Sequence, residues 1–132
     1  MFGFFRRKPR QVANITNGPR TFSVDVVGES HYQDALEHIC GGRTEDGHRL
    51  EVEARLELED NNPYDSKAVA VFIEGELVGH LSRDTARSFR NALAAVAPGA
   101  SLATCSAIIV GGWERTDGDR GHFGVKLDLP TV

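Results

Sequence analysis

Ten consecutive residues, Leu50–Glu59, run in the order LEVEARLELE, so that every apolar side chain is followed by a charged one. A period of two places all the apolar side chains on one face of an extended chain and all the charged ones on the other. The stretch therefore predicts a strand with one buried face, and a chain whose core is built on a β-sheet. Its acidic outer face is most simply a solvated surface.

Five further stretches have strand length and apolar character: Thr21–Val27, Ala68–Ile73, Leu77–Leu81, Ser101–Val110 and Phe123–Leu129. Helical spacing appears in Glu29–Cys40, before a Gly-Gly pair, and again after Ser82, where an apolar stripe of Ala86, Phe89, Leu93 and Val96 ends near Pro98. Strands in hairpin-like succession, without a βαβ repeat, argue against a doubly wound sheet. The pattern predicts a mainly β protein, either a small barrel or a strongly curled sheet with two helices packed on it.

Charge divides the 132 residues unevenly. Residues 1–20 carry five bases and no acid, whereas residues 21–132 carry ten bases against 19 acids. We therefore predict a basic, flexible arm over 1–20 and one domain over 21–132. So acidic a domain would not coat duplex DNA through a broad phosphate-neutralising surface. The arm either helps to bind nucleic acid or serves only solubility, with weak attachment to anionic lipid as a third option.

Several classes of protein lack support in the sequence. No apolar run approaches the roughly 18 residues of a membrane span, and the first residues do not resemble a signal peptide, so we expect a cytoplasmic protein. Cys40 and Cys105 suggest reduced thiols, since His38, His48 and the cysteines lack the spacing of a zinc site. The motifs of serine hydrolases (GxSxG), nucleoside triphosphatases (the Walker loop) and zinc metalloproteases (HExxH) are all missing from the sequence. We predict no catalytic residue, metal or cofactor.

The stretch DNNPYDSK, residues 60–67, joins two predicted strands. Pro63 stiffens it and holds Asn62 in an extended conformation, and the side chains of Asn62 and Asp65 can bond nearby backbone. Composition alone favours a well-made turn in which Tyr64 packs over the end of the barrel and Asp65 caps the backbone. A binding site is the alternative.

Three segments together resemble the HIRAN domain: VVGESHY (26–32), LELEDNNPYDSKAVAVFIEGELVGHL (56–81) and RDTARSFRNAL (83–93). The resemblance extends over roughly residues 22–129. It implies an OB-like small β-barrel of about six strands with two flanking helices. HIRAN domains occur fused to helicase-like chromatin and repair ATPases and as free-standing bacterial proteins. In the best understood relatives the domain binds the 3′-hydroxyl end of single-stranded DNA, so the expected partners are such ends and a helicase or repair protein.

Carried over to this sequence, the resemblance gives the NPYD string three roles. Tyr64 would stack on a terminal base, a contact that tolerates any base. Asp65 would accept a hydrogen bond from the 3′-hydroxyl, whereas a phosphate in that place would be repelled. Asn62 would shape the pocket.

Other positions match the family less closely. Relatives carry an Arg and then an aromatic residue after the VVG turn, where this chain has Ser30 and His31, followed by Tyr32. His80 of VGHL matches a histidine of relatives, Arg83 lies where a phosphate contact is expected, and Trp113 lies near a pocket aromatic. Each also has a structural alternative: an edge residue for His80, a first-turn helix charge for Arg83 and a loop anchor for Trp113.

Two other functions remain open from the sequence. The missing Arg at Ser30 and the acidic domain favour a protein-interaction or adaptor domain that keeps the fold without the DNA pocket. A metal-dependent nuclease using Glu59, Asp60 and Asp65 is the third hypothesis, because paired carboxylates can hold two metal ions.

Overall fold

The computed structural model describes residues 12–14 and 18–130. Within that part of the chain the strands are β1 (Val12–Asn14), β2 (Val24–Asp25), β3 (His48–Leu58), β4 (Val69–Ile73), β5 (Glu76–His80), β6 (Leu102–Gly111) and β7 (Phe123–Leu127). The helices are α1 (Gln33–Cys40) and α2 (Arg83–Val96), with a 3₁₀ turn at Glu29–His31. Neither helix has the length and apolar character that crossing a membrane requires.

The strands form one curled sheet in the order β2-β7-β6-β3-β4-β5, with antiparallel neighbours throughout. Just beyond β2, Val27 exchanges two backbone hydrogen bonds with His80 of β5, at 2.8 and 2.9 Å. The two ends of the strand order therefore meet. The predicted fold class, a mainly β, OB-like small barrel with two helices, is confirmed.

Alternation along β3 places its middle residues in the core, as predicted: Ala54 and Leu56 are fully buried. Leu50 was expected on the same buried face but is 38% exposed. It lies near the first residue of this long strand, beyond the core cluster that covers the middle of the sheet. Periodicity identifies the buried face of a strand, but not how many positions along that face are covered by other residues.

The two helices begin and end for local reasons. Ser82 caps α2, its hydroxyl accepting a 3.3 Å hydrogen bond from the Thr85 N–H, as the sequence indicated. Gly41 ends α1 in the left-handed conformation, with a φ of 78°. Val96, the last residue of α2, was expected to be buried but is 74% exposed, whereas Phe89 and Leu93 pack into the core.

The basic arm was predicted to be flexible over residues 1–20. Residues 1–11 and 15–17 lie outside the described residues, and residues 12–14 form β1, a strand that the sequence did not indicate and that pairs in parallel with β6. Arg20 is anchored to the domain, since its guanidinium donates to Glu51 at 2.8 Å and its backbone N–H donates to Asp128 at 2.8 Å. A boundary at residue 21 stays a prediction.

Candidate nucleic-acid interface

The connection between β3 and β4, residues 59–68, is held by its own backbone and by one amide side chain. The Asn62 side-chain oxygen accepts hydrogen bonds from the N–H groups of Tyr64 (2.8 Å) and Asp65 (3.1 Å). At the base of the loop the Glu59 N–H donates to the Ala68 carbonyl at 2.9 Å. These bonds fix the loop in one shape before any ligand arrives, which lowers the entropic cost of binding.

Arg90 of α2 fastens this loop to the helix. Its guanidinium donates to backbone carbonyls at 2.7–3.2 Å and to the Asp60 carboxylate at 2.8 Å, and only 14% of the side chain is exposed. The accepting carbonyls belong to Ser66, Lys67 and Ala68. Five donors in a planar fork suit this multiple bonding, which a lysine could not reproduce.

Tyr64 lies at the tip of the loop with 89% of its surface exposed. The prediction from composition that Tyr64 packs over the end of the barrel is therefore wrong. The reason is local: the Asn62 amide fills the inside of the turn and leaves the ring outside. A large aromatic ring so exposed on a well-braced loop leaves one or both faces available for stacking.

Asp65 lies next to Tyr64 but is largely enclosed, with 15% of its side chain exposed. Its Oδ1 accepts a hydrogen bond from the Lys67 N–H at 2.9 Å. That bond, with the charges of Arg87 and Arg83, holds the pKa of the Asp65 carboxyl below its usual value, so the group is ionised at neutral pH. Its Oδ2 is 3.7 Å from the Arg83 Nε, beyond hydrogen-bond length, and so retains the capacity to accept a hydrogen bond.

His80, at the end of β5, is connected to the same loop. Its Nε2 lies 2.9 Å from Glu59 Oε1, and the Asn62 amide donates to that same oxygen at 3.1 Å. Both side chains of the His80–Glu59 pair are about one-third exposed. Asn62 thus shapes the loop from within and also ties it to β5.

His31 and Tyr32 follow closely after Val27 in the chain, and Val27 pairs with His80. The chain turns at Gly28 into the 3₁₀ turn that ends at His31, which is exposed, while Tyr32 is half-buried and stands edge-on to the His31 ring at 6.5 Å. Gly79 permits the close approach, because a Cβ there would lie 2.6 Å from the Val27 carbonyl oxygen.

Trp113 lies elsewhere. It pairs with Thr44 beside the first residues of β3, and its indole N–H donates to Asp119 at 3.2 Å. The loop at 59–68 follows the other end of that strand, and eleven residues at about 3.3 Å each make β3 over 30 Å long. The structure therefore does not bring Trp113 together with the predicted residues of the loop at 59–68, and the indole bonds within its own connection instead.

A metal site finds no support in the described residues, which contain no group of three or more His, Cys, Asp or Glu side chains placed to hold an ion. Cys105 faces the core and is fully buried, and burial raises the pKa of its thiol to about 12. A protonated thiol in a dry core cannot act as a zinc ligand without rearrangement.

The chain matches a known protein family over most of its length. The family model of the HIRAN domain matches residues 19–112, a range that runs from the anchor at Arg20 through β6. The chain belongs to the HIRAN domain family. HIRAN domains bind single-stranded DNA and are binding modules without catalysis of their own. No curated protein and no solved structure matches the chain significantly.

Sequence reasoning missed two residues of this region, Arg87 and Arg90. Both lie on α2 at four and seven positions after Arg83, so all three share one face of the helix. That spacing was visible in the sequence. What the sequence could not show is that this face lies against the loop at 59–68.

Proposed function

We propose that this chain captures the free 3′-hydroxyl end of single-stranded DNA at the loop formed by residues 59–68, in DNA repair or in the processing of replication forks, and that it acts without catalysis. The observation that carries the proposal is an exposed Tyr64 ring beside an ionised Asp65 on a loop fixed by its own hydrogen bonds.

Stacking supplies the affinity in this proposal. A base placed on the Tyr64 ring contributes about 1–3 kcal/mol, whatever its identity. Because the Asn62 and Arg90 bonds already hold the loop, little of that free energy is lost in ordering it. His31 and Tyr32, which follow Val27 of the Val27–His80 pair in the chain, would contact the neighbouring base.

Asp65 supplies the preference for a chain end. Its Oδ2 would accept a hydrogen bond from a 3′-hydroxyl, and a bond to an ionised acceptor is stronger than one between neutral groups. A terminal phosphate in the same place would put two negative charges together. The lowered pKa of Asp65 keeps the carboxylate charged at neutral pH, as this selection requires.

Several side chains would support these contacts. Asn62 shapes the loop, His80 is held beside it by Glu59, and Arg83 is 73% exposed and positioned to meet a phosphate. Ser30 stands where relatives carry an Arg and supplies no charge. A compact site of this kind suits a domain whose residues 21–132 carry nine more acids than bases.

The proposal is tested by fluorescence anisotropy with a short 5′-labelled oligonucleotide that ends in either a 3′-hydroxyl or a 3′-phosphate. We expect tighter binding of the hydroxyl form. Tyr64→Ala should weaken it by about 5- to 150-fold, equivalent to about 1–3 kcal/mol, whereas Tyr64→Phe, which keeps the ring, should bind like the wild type.

Equal affinity for the two ends would remove the end-recognition claim. Absence of binding to either, with the fold intact by circular dichroism, would favour the protein-interaction alternative, to which the uncharged Ser30 already points.

A further inference from the structure

Three arginines line one face of α2, and their surroundings divide them into two kinds. Arg90 is enclosed, and its guanidinium is occupied by backbone carbonyls and by Asp60. Arg83 and Arg87 are 73% and 49% exposed, and their guanidinium groups lie 3.7 and 3.6 Å from the Asp65 carboxylate, too far for hydrogen bonds to it. Arg90 holds the loop. Arg87 Nη1 donates one hydrogen bond to the Arg83 carbonyl at 3.3 Å, and most of the other donors of Arg83 and Arg87 are available to a ligand.

Arg83 and Arg87 form an exposed pair of like charges on the surface of α2. Like charges four residues apart on a helix repel each other, and here one carboxylate, Asp65, lies between the two guanidinium groups and offsets only one of the two charges. An exposed excess of positive charge thus remains at Asp65, the neighbour of Tyr64 in the sequence, on a domain that is otherwise strongly acidic.

The spacing of the pair matches a nucleic-acid backbone. Four residues rise about 6 Å along a helix axis, comparable with the separation of successive phosphates on an extended strand. Arginine is well suited to phosphate, because its planar fork of donors matches the phosphate oxygens.

We propose that Arg83 and Arg87 bind two consecutive phosphates of the strand whose terminal nucleoside lies at Tyr64, so that the strand leaves the site along the first turns of α2. Asp65 acts in addition as the positioning residue for both guanidinium groups. This inference rests on the proposed function and adds Arg87, the path of the strand and the number of phosphates to it.

The test is the salt dependence of binding. Each phosphate contact on a single strand contributes about 0.7 to the slope of log affinity against log salt concentration. With a labelled hexathymidylate, titrated from about 50 to about 200 mM salt, Arg87→Ala should lower the slope by about 0.7. Arg87→Lys, which keeps the charge, should retain most of it. Arg49→Ala, which removes an exposed charge near the first residues of β3, should leave the slope unchanged.

A thymidine dinucleotide, which has one phosphate, separates phosphate binding from a structural role. In a chemical-shift titration, only one of Arg83→Ala and Arg87→Ala should weaken its binding, whereas both should weaken binding of the longer strand. An unchanged slope in Arg87→Ala, while Tyr64→Ala still weakens binding, would overturn this inference and leave the proposed function standing. Failure of the wild-type protein to bind either oligonucleotide would overturn both.

Discussion

Replacing Arg90 by alanine removes the contacts that join the loop at 59–68 to α2. Two of its hydrogen bonds, to the carbonyls of Lys67 (2.7 Å) and Ala68 (2.9 Å), are short and come from a charged donor, so each contributes about 1.5 kcal/mol at the lower end of the usual range. The ion pair with Asp60, a side chain that is 68% exposed, adds at most about 0.5 kcal/mol. We expect Arg90→Ala to lower the free energy of unfolding by about 3 kcal/mol.

Thermal unfolding followed by circular dichroism measures this loss. For a domain of this size, about 3 kcal/mol corresponds to a decrease in melting temperature of about 10 °C. Arg87→Ala is the matched control: it is the same substitution on the same helix, at a half-exposed side chain with longer contacts, and should change stability by no more than about 0.5 kcal/mol. Arg90→Lys should be destabilised almost as much as Arg90→Ala, because an ammonium cannot reach several carbonyls at once. If the Arg90→Ala and Arg87→Ala variants have the same melting temperature, Arg90 does not hold the loop.

Two further predictions concern the barrel itself. Gly79→Ala should destabilise the domain by more than about 3 kcal/mol in urea unfolding, because the new Cβ would lie 2.6 Å from the Val27 carbonyl oxygen. Gly75→Ala, in open space at a φ of 78°, should cost about 1 kcal/mol, and equal losses would contradict the close approach. With a thiol reagent near neutral pH, Cys40 should react slowly and Cys105 only after unfolding. The reason is that burial raises the pKa of both thiols, and that of Cys105 to about 12. Rapid labelling of both cysteines in the folded protein would contradict the burial of Cys105 in the core.

Much of the fold follows from side-chain periodicity. The alternation in β3, the apolar run of β4 and the Ser82 cap of α2 each depend on neighbours close in sequence, and the structure has all three. Errors occur where elements end: Leu50 and Val96 have the right period but lie beyond the residues that would cover them. Local sequence patterns do not reveal at which residue of a strand or helix burial by the rest of the protein ends.

The candidate site was predictable only in part. The NPYD string could be found, but composition placed the Tyr64 ring on the wrong side of the turn, because the bond that decides it comes from a neighbouring side chain, Asn62. Contacts of Asp65 with Arg83 and Arg87 join residues about twenty positions apart in the chain. Such pairs depend on how α2 is placed against the loop, and the periodicity of the sequence does not specify that placement.

The central claim is that one end of a single strand binds at Tyr64 and Asp65. A titration of the ¹⁵N-labelled protein with a short oligonucleotide that has a free 3′-hydroxyl tests it most directly. We predict that chemical-shift changes concentrate in the loop at 59–68, in the turn at 29–32 and in the first turns of α2. Changes confined to other surfaces, such as the outer face formed by β2 and β7, or no changes at all, would contradict the account.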